Sequence, residues 1–295
     1  MRLLITGAWP DAEKHIPLLK LSGNEIAYMR QETDPLPCDP EWVEGVICNG
    51  LFLTYPITAF PHLRYIQLTS VGYDRVPMEA VHAAGIKIHN AHGVYSIPMA
   101  EFAIAGILSF YKGFAVFRDQ QDKHIWAKNR SLLELFGKKV VIVGCGDVGR
   151  ECAKRLRSFG AVLTGVNRNV ENMEGFDRVV ELQALDEELE TADIVIISIA
   201  FTQETVGLVK AKKLKPDAIL VNIARGQIVD LADRVCSAVL DVFEEEPLPP
   251  DSDLWDAERT VITPHNSFVG DGNNSRLNDL IMLNLREWTR RESLQ

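Results

Sequence analysis

Lys138-Lys139-Val140-Val141-Ile142-Val143-Gly144-Cys145-Gly146-Asp147-Val148-Gly149, continued through Gly160, is the stretch whose reading decides the fold. The apolar run 140–143 is short and unbroken, as in a strand buried on both faces. Gly144, Gly146 and Gly149 follow at GxGxxG spacing. Val148, Cys152 and Leu156 then recur every four residues and Gly160 closes the pattern, which reads as a helix with a glycine stop. In a strand–turn–helix setting each glycine has its own task. The first makes the tight turn, the second lets backbone approach a pyrophosphate, and the third lets the helix pack close to the sheet. Free N–H groups at the helix N-terminus would hold the phosphates, where the helix dipole favours negative charge. The spacing alone is a weak signal and a glycine turn without function is its bland alternative. The strand before and the helix after it point to dinucleotide binding.

Working outward, the same rhythm covers the chain. Residues 3–6, 25–29, 43–48, 65–69 and 86–89 are short apolar or β-branched runs, with helix-like pieces at 11–21 and 77–84. Pro77 stands at a first helical position of the latter and Gly85 just past its end. Prolines at 35, 37 and 40 mark an irregular connection. Residues 96–121 read as one long apolar helix, with Pro98 in its first turn and Met99, Phe102, Ala103, Gly106 and Phe110 along one side. After the glycine stretch come strand patterns at 162–166, 193–199, 218–224, 238–243 and 260–264, and a helix near 184–190. The tail 273–291 is helical, with Leu277, Ile281 and Leu285 on one side. Alternating βα signals imply parallel, doubly wound sheets, hence an α/β fold.

A length of 295 residues is enough for two domains. A hydrophobic share of 46% and a charged share of 24% are those of an ordinary globular protein. The net charge of −10 argues against nucleic-acid or anionic-membrane partners. Five scattered cysteines lack zinc-ligand spacing and read as reduced thiols of a cytoplasmic protein; no metal site is expected. The N-terminal run is too short for a signal peptide and reads as a first strand. No apolar run approaches the ~20 residues of a membrane span.

Three chemically active residues follow strand patterns in the second half. Arg225 follows 218–224, Glu246 follows 238–243 and precedes Pro247, and His265 follows 260–264. Ligands of open α/β sheets bind at the carboxyl ends of strands, so separate strands would bring these three to one crevice. The set suits hydride transfer to a 2-keto acid. Arg can hold a carboxylate with two parallel hydrogen bonds. His can give or take the hydroxyl proton. A carboxylate beside a His favours its protonated form and fixes its orientation.

Val221-Asn222-Ile223-Ala224-Arg225-Gly226-Gln227-Ile228-Val229-Asp230 resembles the arginine signature of the D-isomer-specific 2-hydroxyacid dehydrogenases. Leu240-Asp241-Val242-Phe243-Glu244-Glu245-Glu246-Pro247 is similar to their glutamate signature, Thr263-Pro264-His265-Asn266-Ser267 to their histidine signature, and Ser70-Val71-Gly72-Tyr73-Asp74 to their substrate loop. The resemblance covers nearly the whole chain. It implies that Arg225 binds and polarises the keto acid, His265 exchanges the proton, and Glu246 pairs with His265. It implies that the N–H groups of Val71 and Gly72 hold the substrate carboxylate. Asp147 and Val148 would face the pyrophosphate with Gly144, Gly146 and Gly149. Ile223, Ala224 and Asp241 would join the cofactor contacts, Asp241 at the nicotinamide. It further implies a flavodoxin-like substrate domain, residues 1–97 plus 267–295, and a Rossmann nucleotide domain, residues 98–266, with a cleft that closes on substrate. A homodimer is implied through the long helix. The expected activity is hydride transfer between NAD(P)H and a small 2-keto acid or D-2-hydroxy acid. Leu51, Phe52, Leu53 and Tyr73 are candidates for the substrate pocket. Oxidation of formate or phosphite is the alternative within the family, and a nucleotide-sensing corepressor without turnover is the alternative outside enzymes, disfavoured by the intact Arg, Glu and His.

Two departures from the family pattern stand out. Only residues 231–240 lie between the arginine and glutamate signatures, about two helical turns fewer than the family has. Either a helix is absent or residues are missing from the chain, and the minimum length of a βαβ crossover favours missing residues. Asn167 stands where an acidic residue would hold the ribose 2′-hydroxyl and repel a 2′-phosphate, and Arg168 beside it can pair with that phosphate. The pair tips the cofactor expectation slightly from NAD to NADP, with an Arg168 that is only a surface residue as the bland reading.

Overall fold

The computed structural model describes residues 1–170 and 173–292. The chain divides into two compact units, 1–94 with 270–295 and 95–269, and residues 293–295 of the expected first domain lie outside the described residues.

The first unit holds β1 (Arg2–Thr6), α1 (Ala12–Leu21), β2 (Glu25–Met29), β3 (Gly45–Cys48), α2 (Leu51–Thr54), β4 (Tyr65–Leu68), α3 (Met78–Ala83) and β5 (Lys87–His89). The strands pair in parallel in the order β2-β1-β3-β4-β5, which is the flavodoxin-like order. β3 and β4 are buried along their whole length, so the continuous apolar runs are central strands of a sheet covered on both faces. Pro77 caps α3 rather than starting it, and Gly85 takes φ +65° past its end.

The second unit opens with α4 (Ser96–Tyr111) and α5 (Phe114–Asp122) where one long helix is expected. The two are bent by 61°. Gly113 sits between them at φ +61°, while the N–H groups of Lys112 and Gly113 close back on Leu108 and Phe110. A glycine in the left-handed region is the ordinary helix stop, and the apolar pattern conceals it because it continues on both sides. The buried face of α4 also differs from the one expected: Ala100, Ala103, Ile104 and Ile107 face the core, while Met99, Phe102 and Phe110 pack at its edge.

Then follow β6 (Lys139–Val143), α6 (Asp147–Ser158), β7 (Val162–Val166), β8 (Arg178–Val180), α7 (Leu185–Thr191), β9 (Ile194–Ile197), β10 (Val209–Lys210), β11 (Ile219–Asn222), β12 (Val229–Asp230), β13 (Ser237–Leu240) and β14 (Thr260–Ile262). Seven form a parallel sheet in the order β14-β13-β11-β9-β6-β7-β8, the doubly wound Rossmann order with one further strand. The order reverses between β6 and β9, so the turn leaving β6 lies at the switch point. One apolar cluster, containing Val140, Ile142, Leu156 and Ile196, and another, containing Val141, Val143, Leu189 and Val195, line the two faces. The tail helix α8 (Asn273–Glu292) belongs to the first unit. Its Leu277, Ile281 and Leu285 are buried, Asn278 Oδ1 accepts from Trp9 Nε1 at 2.6 Å, and the Asn284 side chain donates to Gln67 Oε1 at 2.8 Å.

Residues 95–97 and 267–269 belong to the second unit instead of the first. Ser96 opens α4, the Ser267 N–H bonds Asp241 Oδ2 at 2.9 Å, and Phe268 lies edge-on to both Tyr95 and His265. Of the two alternatives for 231–240, the structure has the path without a helix. β11 and β13 are direct parallel neighbours, joined without a helix. Six extended residues reach ~20 Å and a four-residue strand needs only ~13 Å, so 231–236 return the chain unaided. That loop is tied down: Asp230 Oδ1 accepts from the Ala232 N–H at 3.0 Å, and Arg234 donates to the Cys236 carbonyl and to Thr260 Oγ1. No single described helix is long and apolar enough to cross a membrane.

Candidate active site

The glycine turn is built as its residue types demand. Gly144 has φ +100°, and a Cβ there would lie 2.5 Å from the Ile199 nitrogen. A Cβ on Gly149 would lie 2.0 Å from the Gly144 carbonyl oxygen, so α6 approaches the turn only because this residue is glycine. Gly146, the residue before α6, is exposed with open space in front of it, as a backbone meeting a ligand phosphate requires. Two supports escape sequence reading. Ser198 Oγ donates to the Gly144 carbonyl at 2.8 Å, and Arg150 reaches both the Cys145 carbonyl and Asp147 Oδ1. The residues present therefore fit a dinucleotide pyrophosphate.

Arg225, Glu246 and His265 follow β11, β13 and β14, three adjacent strands whose carboxyl ends lie in register, Asn222 beside Leu240 and Leu240 beside Ile262. Neighbouring strands are ~4.8 Å apart, so the three loops start within about 10 Å of one another. The His265 Nδ1–H donates to Glu246 Oε2 at 2.7 Å, and Glu246 Oε1 accepts the Phe243 N–H at 3.0 Å. Each carboxylate oxygen thus has a task, one holding the imidazole and one anchoring the glutamate to its own loop. His265 takes φ +50°, which a side chain rarely adopts without external support.

That support comes from Asp241, which is fully buried. Its Oδ1 accepts from Thr263 Oγ1 at 2.7 Å and from the Asn266 N–H at 2.8 Å, its Oδ2 accepts the Ser267 N–H, and its carbonyl accepts the His265 N–H at 2.8 Å. One buried carboxylate therefore fixes the histidine loop from both sides, a role that resemblance alone does not disclose.

Arg225 is half-buried, and its Nη1 donates to the Ala224 carbonyl at 2.7 Å. Asn222 shapes the loop: its Oδ1 accepts the Ala224 N–H and its Nδ2 donates to the Arg225 carbonyl. Gly226 lets the arginine loop touch the glutamate loop, since a Cβ there would lie 2.0 Å from the Phe243 carbonyl carbon. Gln227 Nε2 donates across the same contact to the Glu244 carbonyl at 3.0 Å. The side chains of Ile223 and Ala224 are buried in the two apolar clusters, and the Ile223 N–H is taken by the Ile197 carbonyl, so these two expected cofactor contacts serve to hold the arginine loop against the sheet.

At the end of β7, the Asn167 side chain donates to the Asn169 carbonyl at 3.3 Å. Arg168 Nη2 donates to Glu204 Oε2 at 2.8 Å and to Thr202 Oγ1 at 3.3 Å. In the first unit, Val71 and Gly72 follow β4 on a loop held by Asn90 Nδ2 to the Val71 carbonyl and by Ser70 Oγ to the Gly72 carbonyl. Of the expected pocket residues Leu51 is fully buried in the apolar core, whereas Leu53 and Tyr73 are exposed.

A doubly wound nucleotide unit with Arg, Glu and His at adjacent strand ends defines a dinucleotide-dependent oxidoreductase architecture. The family model described as "D-isomer specific 2-hydroxyacid dehydrogenase, NAD binding domain" matches residues 104–267, and the chain belongs to that family. It is similar to a D-3-phosphoglycerate dehydrogenase of Mycobacterium leprae, 35% identical over 71% of this chain but only 42% of that protein. It is 30% identical to a glyoxylate reductase of Korarchaeum cryptofilum over 83% of this chain and 81% of that one. Among solved structures, an NADPH-dependent glyoxylate/hydroxypyruvate reductase of Sinorhizobium meliloti superposes with TM-score 0.78 at 26% identity, covering 98% of this chain and 94% of that one.

Proposed function

We propose that the chain reduces a small 2-keto acid to the D-2-hydroxy acid, with NADPH preferred slightly over NADH. The observation that carries the reading is the 2.7 Å His265–Glu246 hydrogen bond on loops of neighbouring strands, with Arg225 on the next. The bound nicotinamide supplies the hydride to the keto carbon. Arg225 polarises the keto oxygen and stabilises the charge that develops on it. Glu246 holds Nδ1 of His265, which leaves Nε2 to deliver the proton. Val71 and Gly72 offer backbone N–H groups to the substrate carboxylate. Gly146, Asp147 and Val148 present backbone to the pyrophosphate, and Asp241, fully buried, acts on the nicotinamide end only through the loop that carries His265 rather than by touching the ring.

The test follows absorbance of the reduced nicotinamide with glyoxylate, hydroxypyruvate and branched 2-keto acids, each with both cofactors. Oxidation of the cofactor by at least one keto acid is expected, and no turnover with any of them removes the proposal. Arg225→Ala and His265→Ala should each lower kcat by roughly 10²–10⁴ while the protein stays folded. We also propose a homodimer through the second unit, where Trp126, Phe136, Phe114 and Ile125 expose large apolar surface. Light scattering at micromolar concentration should give twice the chain mass.

A further inference from the structure

We propose that Glu204 sets the balance between the 2′-hydroxyl and 2′-phosphate forms of the dinucleotide by competing with the phosphate for Arg168. This deepens the functional reading above and rests on it. The chain has no acid at the end of β7, where Asn167 stands, and the ion pair supplies one from elsewhere. Arg168 follows β7 and Glu204 follows β9, the two strands that flank β6, with Val143 of β6 in register with both Val166 and Ile197. Their ion pair at 2.8 Å therefore reaches across the end of the strand that carries the glycine turn. That is where the adenosine half of a dinucleotide on this turn must lie.

Glu204 is not on a loose loop. It sits in a tight turn, Gln203–Thr205, closed by Thr205, whose Oγ1 accepts the Thr202 N–H at 2.8 Å and donates to the Ala200 carbonyl at 3.1 Å. Thr205 is buried, so the turn is anchored from below. Both charged side chains remain solvent-exposed, so the pair is weak and a phosphate can displace it. A 2′-phosphate gains Arg168 but must break that pair and then lie beside a carboxylate. A 2′-hydroxyl can instead donate to the same carboxylate. Arg168 and Glu204 thus pull selectivity in opposite directions, and the chain accepts both cofactors with a small difference between them.

The experiment measures dissociation constants for NADPH and NADH by quenching of protein fluorescence, in wild type and in Glu204→Gln. The substitution keeps shape and removes charge. The ratio Kd(NADH)/Kd(NADPH) should rise roughly three- to tenfold in Glu204→Gln, and the rise should shrink at high salt. In the Arg168→Met background only the direct effect of the carboxylate on the two cofactors remains, so the same substitution should raise the ratio by less than it does in the wild-type background, and an equal or larger rise removes the competition for Arg168. An unchanged or lower ratio in Glu204→Gln overturns the role of Glu204 and leaves the dehydrogenase reading standing. Failure of the wild type to bind either dinucleotide overturns both.

Discussion

Asp241 shows how one buried residue serves several exposed ones. Its two oxygens take three donors from the loop that presents His265, and its backbone takes a fourth. Asp241→Ala would strand those donors inside the protein, at a cost of roughly 2–4 kcal/mol. A lower melting temperature and a lower kcat are expected together, read by calorimetry and steady-state assay. His265→Ala should lower kcat alone, because its ring is partly exposed and its removal leaves no buried group unpaired. Arg225, Glu246 and His265, the residues proposed to carry the chemistry, are legible in the sequence because that chemistry requires particular side chains beside particular turns. Asp241 in its anchoring role, Asn222, Ser198 and Glu204 are not. Each acts through a contact to a residue distant in the chain or through backbone shape, and neither leaves a local pattern.

At the scale of elements, alternating βα signals locate the central strands, because strands buried on both faces must be apolar throughout, and miss β8, β10 and β12, which are two or three residues long and partly exposed. The failures have local causes. The α4–α5 break hides behind an unbroken apolar pattern, and only the conformation of Gly113 reveals it. The connection 231–236 runs without a helix and is held by Arg234 instead, a tie to Thr260 that no local pattern announces. Gly149 offers a direct test of helix placement. Gly149→Ala would drive a methyl into the Gly144 carbonyl, so α6 must retreat from the turn. Dinucleotide affinity should fall by at least about tenfold in fluorescence titration. Asp193 ties three strands at their amino ends: its Oδ2 accepts the Lys139 N–H, Lys215 pairs with Oδ1, and its carbonyl accepts the Ile219 N–H. Burial pushes the Asp193 carboxyl up, but Lys215 and the Lys139 N–H outweigh it and hold the carboxyl below its ordinary value. A group so depressed adds stability above its unfolded pKa and loses it as pH falls through the folded one. Asp193→Asn should therefore cost about 1 kcal/mol at pH 7 and progressively less as pH falls below the ordinary carboxylate range, in denaturant titrations over that range.

For the whole molecule, the decisive fact is that residues 95–269 form a unit continuous in sequence, with its apolar clusters made wholly of its own residues. Expressed alone, that segment should unfold cooperatively in urea and still bind a reduced dinucleotide; a non-cooperative transition would show that it depends on the remainder of the chain. The other unit has the opposite arrangement, since α8 closes over Trp9 and Gln67 from more than two hundred residues downstream. On a ribosome these two histories diverge. The nucleotide unit emerges complete while its partner still lacks a final helix, so the portion translated first is the last to reach its finished form.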